Sequence, residues 1–279
     1  MRLPPHASAE DRFWYYSGRI VAIAVLVFLV APLLIVVPMS LTSGNVLAFP
    51  LPGLSMRWYE EVLTTERWTA PARNSLIVGV SATVLSLVLG TLAAVGLAQS
   101  RFRFRTLVLG LIVSPMVVPI VISAVAFYFF FVKFGLVGTY IGLILAHTVL
   151  AAPFVVITVT ATLQDFDRDL VRAAASLGAP PLTVFRRIVL PIIAPGVATG
   201  GLFAFATSFD EIVVALFLAS PQQRTLPRQI FSGVREYVSP SIAAVATLLI
   251  LLAAVLLLVV ELLRRRGERL RGVGERSAH

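Results

Sequence analysis

At 279 residues, 58% of them hydrophobic and 13% charged, with mean hydropathy +0.92, the chain has more apolar surface than a water-soluble core of this size encloses, so lipid is part of its solvent. The lack of cysteine excludes disulfides, thiolate metal sites and cysteine nucleophiles, and the three scattered histidines (His6, His147, His279) form no ligand cluster. The net charge of +9 resides mostly in arginines between apolar runs, which is a signal of membrane topology and not a footprint of nucleic acid.

Six runs are long enough to cross a hydrocarbon layer of about 30 Å at 1.5 Å per residue. They are Ile20–Leu41, Ser75–Gln99, Thr106–Phe131, Val137–Leu163, Gly196–Leu218 and Ser241–Leu263. The fold expected is all-α and polytopic, with an N-terminal segment over 1–19, a transmembrane domain over 20–263 and a basic tail over 264–279. The first run follows 19 mostly polar residues without a small-residue cleavage site and reads as a retained span.

Between the first two runs, Pro50-Leu-Pro52-Gly53 is turn chemistry, and Ser55 is placed to cap a short helix carrying Trp58, Tyr59, Val62 and Leu63. Trp58, Tyr59 and Trp68 sit where an aromatic belt meets the membrane interface. Ser114-Pro115 and Pro119 in the third run and Pro153 in the fourth each remove a backbone hydrogen bond. Two readings stay open: kinks that line a cavity, or prolines that a transmembrane helix simply tolerates. Pro221 and Pro227 bracket a polar turn, Ile230, Phe231 and Val234 give a weak helical stripe, and Ser239-Pro240 opens the last span as N-cap and first helical residue.

With the N-terminus inside, the segments 1–19, 100–105, 164–191 and 264–279 hold 16 of the 23 Arg and Lys residues. The triplet Arg101, Arg103, Arg105 and the run Arg264-Arg265-Arg266 dominate this bias. The positive-inside rule therefore expects both termini and the 165–191 segment in the cytoplasm.

A P-loop needs a lysine after its glycines to reach the β- and γ-phosphates. The only lysine is Lys133, in Phe-Val-Lys-Phe-Gly between two spans on the expected outer side, so the chain is not its own conventional ATPase. The polar segment beginning Asp165-Phe-Asp167-Arg-Asp169 has a different character. Leu170–Leu177 is an alanine-rich helix former, Gly178 suits the positive φ that ends a helix, and Pro180-Pro181 starts a second short helix running through Phe185. Arg186-Arg187 then faces water or lipid phosphate, and Ile188-Val-Leu190 leads to Pro191 at the membrane. The small alanines permit close approach by another protein. The residues alone leave two readings, a docking loop or an ordinary intracellular loop.

This segment resembles the signature loop of permease subunits of bacterial binding-protein-dependent ABC importers. In that family Glu-Ala-Ala, three residues, Gly, nine residues, then Ile-x-Leu-Pro form a coupling helix that sits in a groove of the ATPase. Ala173, Ala174, Gly178, Ile188, Leu190 and Pro191 match at that spacing. Arg172 occupies the glutamate position, a reversal of charge, and Asp169 stands one turn earlier. Ser55-Met-Arg57-Trp58-Tyr59, Asn74-Ser75-Leu76, Ser208-Phe-Asp210-Glu211, Thr225-Leu226-Pro227 and Ser239-Pro240 look like the spermidine/putrescine branch, its second membrane subunit. The resemblance implies the type I importer permease fold, a homologous second permease, two ATPase subunits using ATP and Mg, and an extracytoplasmic solute-binding protein. It implies a bacterial inner membrane location and no cofactor or catalysis in this chain.

Asp210-Glu211 is the one site with substrate chemistry, expected inside the fifth span. A carboxylate in a membrane costs about 2.5–3.5 kcal/mol on insertion scales, so such acids face a cavity or a partner. On one helix Thr207 and Asp210 share a stripe and Ser208 and Glu211 share the next, and one acid faces the translocation path. A carboxylate there favours a cationic, polyamine-like solute; a structural pair satisfied by a partner or by helix-end amides is the other reading. His147 reads as a hydrogen-bonded packing residue, with a proton relay as its alternative. The function expected is that of an importer permease for a small cationic solute. The alternatives are another amino compound or opine-type solute, and a stand-alone ion-coupled transporter or channel using Asp210 and Glu211.

Overall fold

The structure, a computed structural model, describes residues 8–99, 103–164, 166–167, 169–236 and 238–276. Arg101 of the basic triplet, Asp165 and Arg168 at the head of the polar segment, and the terminal histidines His6 and His279 lie outside the described residues. Among those residues the chain is helical, with no strand and a single isolated bridge, Thr42 to Leu54. Five helices are long and apolar enough to cross a membrane, and a bent pair supplies a sixth crossing if it is counted as one span.

The chain divides into two compact units. One comprises the residues up to Thr64 together with Gly233–Leu252. Its first helix, α1 (Ala9–Ser40), starts earlier than hydropathy places it. Ser8 Oγ accepts the Asp11 N–H at 3.1 Å and Asp11 Oδ2 accepts the Ser8 N–H at 3.0 Å, a reciprocal cap that nucleates helix well before the apolar run begins. None of the most apolar stretch of α1 is buried, so lipid or another protein has to cover it. In α2 (Arg57–Thr64), Ser55 Oγ accepts the Arg57 N–H at 3.2 Å. Val62 is buried, Tyr59 Oη bonds Ser40 Oγ at 2.6 Å, and the Trp58 indole donates to the Thr42 carbonyl at 2.8 Å. Leu63 points outward. The last helix, α12 (Pro240–Arg276), opens as expected, with the Ile242 N–H on the Ser239 carbonyl, and runs on through the basic run that polarity alone marks as a tail.

The second unit comprises Thr65–Ser232 and the chain from Ala253 on. Its centre is a three-helix layer of α3 (Glu66–Gln99), α6 (Tyr140–Gln164) and α9 (Leu190–Phe209). Trp68 does not join an aromatic belt: it is 1% exposed inside this unit. The third run is not one rod. α4 (Arg105–Val113) gives way to a 3₁₀ turn over Ser114–Met116, and α5 (Ile120–Val132) starts after Pro119 at a bend of 102°. Two prolines four residues apart forfeit two helical N–H donors, and Pro119 disfavours helix at the residue before it, so the break falls where the sequence puts the prolines.

The layer is held by small residues. Gly196, Gly200 and Ala204 recur every fourth residue on one face of α9, all three buried. Gly196 lies over the Thr158 carbonyl and Thr162, and Gly200 lies over Val155 and Thr158 of α6. On α3, Gly90 lies against Val155, and Gly201 of α9 meets Leu87. Backbones approach this closely only where no Cβ intervenes, which is how helices gain dispersion contact when lipid offers no hydrophobic drive. Val155, Val159, Ile193 and Ala204 are the dry centre of this packing.

Candidate functional site

The polar segment after α6 folds as a helical elbow. Asp167 Oδ1 accepts the Asp169 N–H at 2.9 Å and starts α7 (Asp169–Ser176). At its end the Gly178 N–H bonds the Ala175 carbonyl at 2.9 Å and the Ala179 N–H bonds the Ala174 carbonyl at 3.1 Å. That pair of bonds is a Schellman cap, and Gly178 takes the φ of +79° that it demands. Pro180 then precedes α8 (Pro181–Val184).

Past α8 the chain stays helical through Pro191. A π-turn over Phe185–Val189 joins α8 to α9, with the Leu190 N–H on the Phe185 carbonyl. Pro191 lacks an N–H and its ring crowds the carbonyl four residues earlier, so widening the preceding turn accommodates it without ending the helix. Ile188, Leu190 and Pro191 therefore belong to one rod that runs from the elbow to Phe209.

The elbow is anchored at its base and bare on its outer side. Phe166, Val171 and Phe185 pack against the cluster formed by Val159, Val189 and Ile193 of α6 and the α9 rod. By contrast Leu177 is 88% exposed, and Leu170, Leu182, Ala173 and Ala175 are exposed too, while Ala174 is half-buried. Arg172 Nη1 meets Asp169 Oδ1 at 3.0 Å, the one ion pair among the described residues. Both side chains are about three-quarters exposed, and an exposed pair of this kind contributes on the order of 0.2–1 kcal/mol. Its result is local neutrality: the basic residue at the head of the motif carries its own counter-charge on the same helix.

The acids at the other end of α9 are arranged differently from a continuous span. Asp210 is the C-cap of α9, its N–H on the Ala206 carbonyl at 3.0 Å, and α10 (Val213–Leu218) begins only after a break. Because no single helix carries them, Thr207 with Asp210 and Ser208 with Glu211 do not form parallel stripes. Glu211 turns onto its own backbone, Oε1 accepting the Val214 N–H at 2.8 Å, and so caps α10. Asp210 is exposed and Thr207 half-buried. Ser208 is buried against His147, whose Nδ1 lies 2.8 Å from the Ser208 Oγ and 3.1 Å from its carbonyl oxygen. His147 thus ties the end of α9 to α6, and its Nε2 is buried without a partner among the described residues.

This predicts a divergence at Glu211. Glu211→Gln keeps an acceptor for Val214 and leaves thermal stability within about 0.5 kcal/mol, whereas Glu211→Ala forfeits the cap and costs about 0.5–2 kcal/mol. Thermal unfolding of the purified protein in detergent separates them.

Phe166, Val171, Phe185 and the Gly196–Gly200–Ala204 stripe carry no motif, so reading for signatures passes over them. The glycine spacing was the available signal for the stripe. Among the described residues no group of three or more His, Cys, Asp or Glu side chains is placed to hold a metal.

Residues 86–270 match the family described as binding-protein-dependent transport system inner membrane component. The chain is 32% identical over 227 residues to the spermidine/putrescine transport system permease protein PotC of Escherichia coli (strain K12), covering 81% of this chain and 86% of that protein. It is 36% identical over 230 residues to the putrescine transport system permease protein PotI of the same organism, covering 80% and 82%. Its fold is similar to that of a chain in the crystal structure of a bacterial ABC transporter involved in import of the acidic polysaccharide alginate, with a TM-score of 0.74 at 18% identity over 92% of this chain and 99% of that one.

Proposed function

Because the chain belongs to the family of binding-protein-dependent transport system inner membrane components, we propose that it is the permease subunit of an ABC importer that moves a small polyamine-type cation, driven by a separate ATPase docked on α7. The observation that carries this reading is the elbow itself. It is bare on its outer side and packed through Phe166, Val171 and Phe185 onto α6 and α9. A displacement of α7 is therefore a displacement of the ends of two spanning helices, since a close-packed contact transmits motion instead of absorbing it.

In this reading both termini and the elbow are cytoplasmic, in keeping with the arginine bias. Hydrolysis of ATP with its Mg belongs to two partner subunits, and this chain supplies no nucleotide chemistry. Asp169, Arg172, Ala173, Ala174 and Gly178 form the docking helix and its stop; Ile188, Leu190 and Pro191 carry its motion into α9. A homologous second permease covers the bare face of α1, and a solute-binding protein delivers cargo at the opposite end. Thr207 and Asp210 contribute to the path, with Asp210 as the charge that favours a cation, while Ser208 and Glu211 fix the geometry around it. The names of PotC and PotI support the polyamine class.

The test is uptake of radiolabelled putrescine into proteoliposomes. Uptake is expected only when the second permease, the ATPase subunits, the binding protein and ATP are all present. Uptake by this chain without ATPase or ATP contradicts the reading and favours a stand-alone transporter.

A further inference from the structure

At the end of α6 remote from α7, about 37 Å away for a helix of 25 residues, lies an open pocket of about 560 Å³. It is lined by the first turns of α3 and α6 and the loop around Pro221–Gln229. Asn74 builds its wall: Nδ2 donates to the carbonyls of Gln222 at 2.8 Å and Arg224 at 2.9 Å, and Oδ1 accepts the Tyr140 hydroxyl at 2.7 Å. Beside it Ser75 Oγ accepts the Leu226 N–H at 2.8 Å. Two neighbouring side chains thus tie the loop to α3 and α6.

Its charged lining is unbalanced, three guanidiniums (Arg67, Arg73, Arg224) against the single carboxylate of Glu66. Arg224 Nη1 donates to Gln229 at 3.0 Å, but its Nε is buried without a partner among the described residues. Arg67 and Arg73 are exposed at the rim, and the one ion pair among the described residues is Arg172–Asp169, in the elbow. Arg228 next to the loop adds further positive charge; it donates to the Ala219 carbonyl at 2.6 Å, and burial followed by Arg224 lowers its pKa. Planar guanidinium forks match carboxylates in two-pronged geometry, and the same cluster repels a small cation. The cavity is therefore built for an anionic group and is not the route of a polyamine.

We propose that this cavity receives a carboxylate side chain of the solute-loaded binding protein, with Arg67 and Arg73 as its charge partners. The proposal rests on the importer reading, which makes this the face where solute arrives. Because Asn74 and Tyr140 join the loop to α3 and α6, occupancy here bears on α6, which carries α7 at its far end.

The experiment titrates ATP hydrolysis by the reconstituted complex with the binding protein whose addition restores uptake. For R67E/R73E the concentration giving half-maximal stimulation is expected to rise about tenfold, and for R67Q/R73Q about threefold. Added salt moves the wild type toward the variants. Should R67E/R73E fail to assemble, the glutamine variant carries the test. An unchanged half-stimulating concentration overturns the proposal. So does a change confined to the solute concentration needed at saturating binding protein, which would assign the anion to the solute itself. A chain that assembles with no ATPase overturns the importer reading beneath the proposal. Normal assembly and normal stimulation of the variant remove the carboxylate site alone.

Discussion

Leu177→Asp is expected to lower the affinity of the membrane subunits for the ATPase by about 100-fold or more while the protein still inserts and folds. Leu177 is 88% exposed at the tip of the elbow, so within this chain it contributes little packing, and removing it disturbs nothing that holds α7 in place. In a docked complex the same side chain is covered, and burying a leucine contributes about 1.5–3 kcal/mol. A carboxylate there forfeits that gain and adds the cost of stripping water from a charge. Leu177→Met preserves the apolar volume and should bind like wild type. Co-purification of the ATPase with the two variants checks the pair, and equal recovery from both contradicts a docking role for this tip.

Gly200→Leu is expected to be the most damaging substitution in the helical layer. Even a bare Cβ at Gly200 would stand 2.9 Å from the Val155 Cα, and backbone cannot rotate aside as a side chain does. Overpacking of this kind costs about 1–3 kcal/mol, and a branched side chain on so close a contact falls at or beyond the upper end. At about 2–4 °C per kcal/mol for a protein of this size, unfolding in detergent should come about 5 °C lower or more. Gly96→Ala is the control: nothing lies within 4 Å of a Cβ there, and alanine is worth about 0.5–1 kcal/mol over glycine inside a helix. Since α9 and α6 also seat Phe166, Val171 and Phe185, Gly200→Leu should loosen the elbow as well.

Much of this was legible in the residues. Hydropathy marked the five helices long and apolar enough to cross, and the bent pair that makes a sixth crossing only if counted as one span, because lipid imposes a length and a composition that no soluble helix has to meet. The elbow was legible because its stop signals are local: Gly178 for a positive φ, Pro180-Pro181 for a restart. Three features were not. The Ser8–Asp11 cap extends α1 into residues that polarity assigns to a tail, since helix continuity is set by hydrogen bonds and not by hydropathy. The π-turn ahead of Pro191 keeps α9 continuous where a proline suggests a boundary. The break at Asp210–Ile212 lies within an apolar run, and only the folded contacts, His147 across to Ser208 and Glu211 onto the Val214 N–H three residues on, reveal that the two acids differ in role. Adjacent acidic residues on a presumed helix look equivalent up to a rotation; one that caps a helix and one that stands free are not.

The protein's lack of cysteine makes the docking claim directly measurable. Leu177→Cys introduces the only thiol, and a short thiol-to-amine cross-linker in proteoliposomes holding the whole complex reports what lies against it. The product predicted is an adduct with the ATPase subunit, and none forms from Phe134→Cys, an exposed position beside Lys133 in the loop between α5 and α6. An ATPase adduct from Phe134→Cys with none from Leu177→Cys would contradict the account.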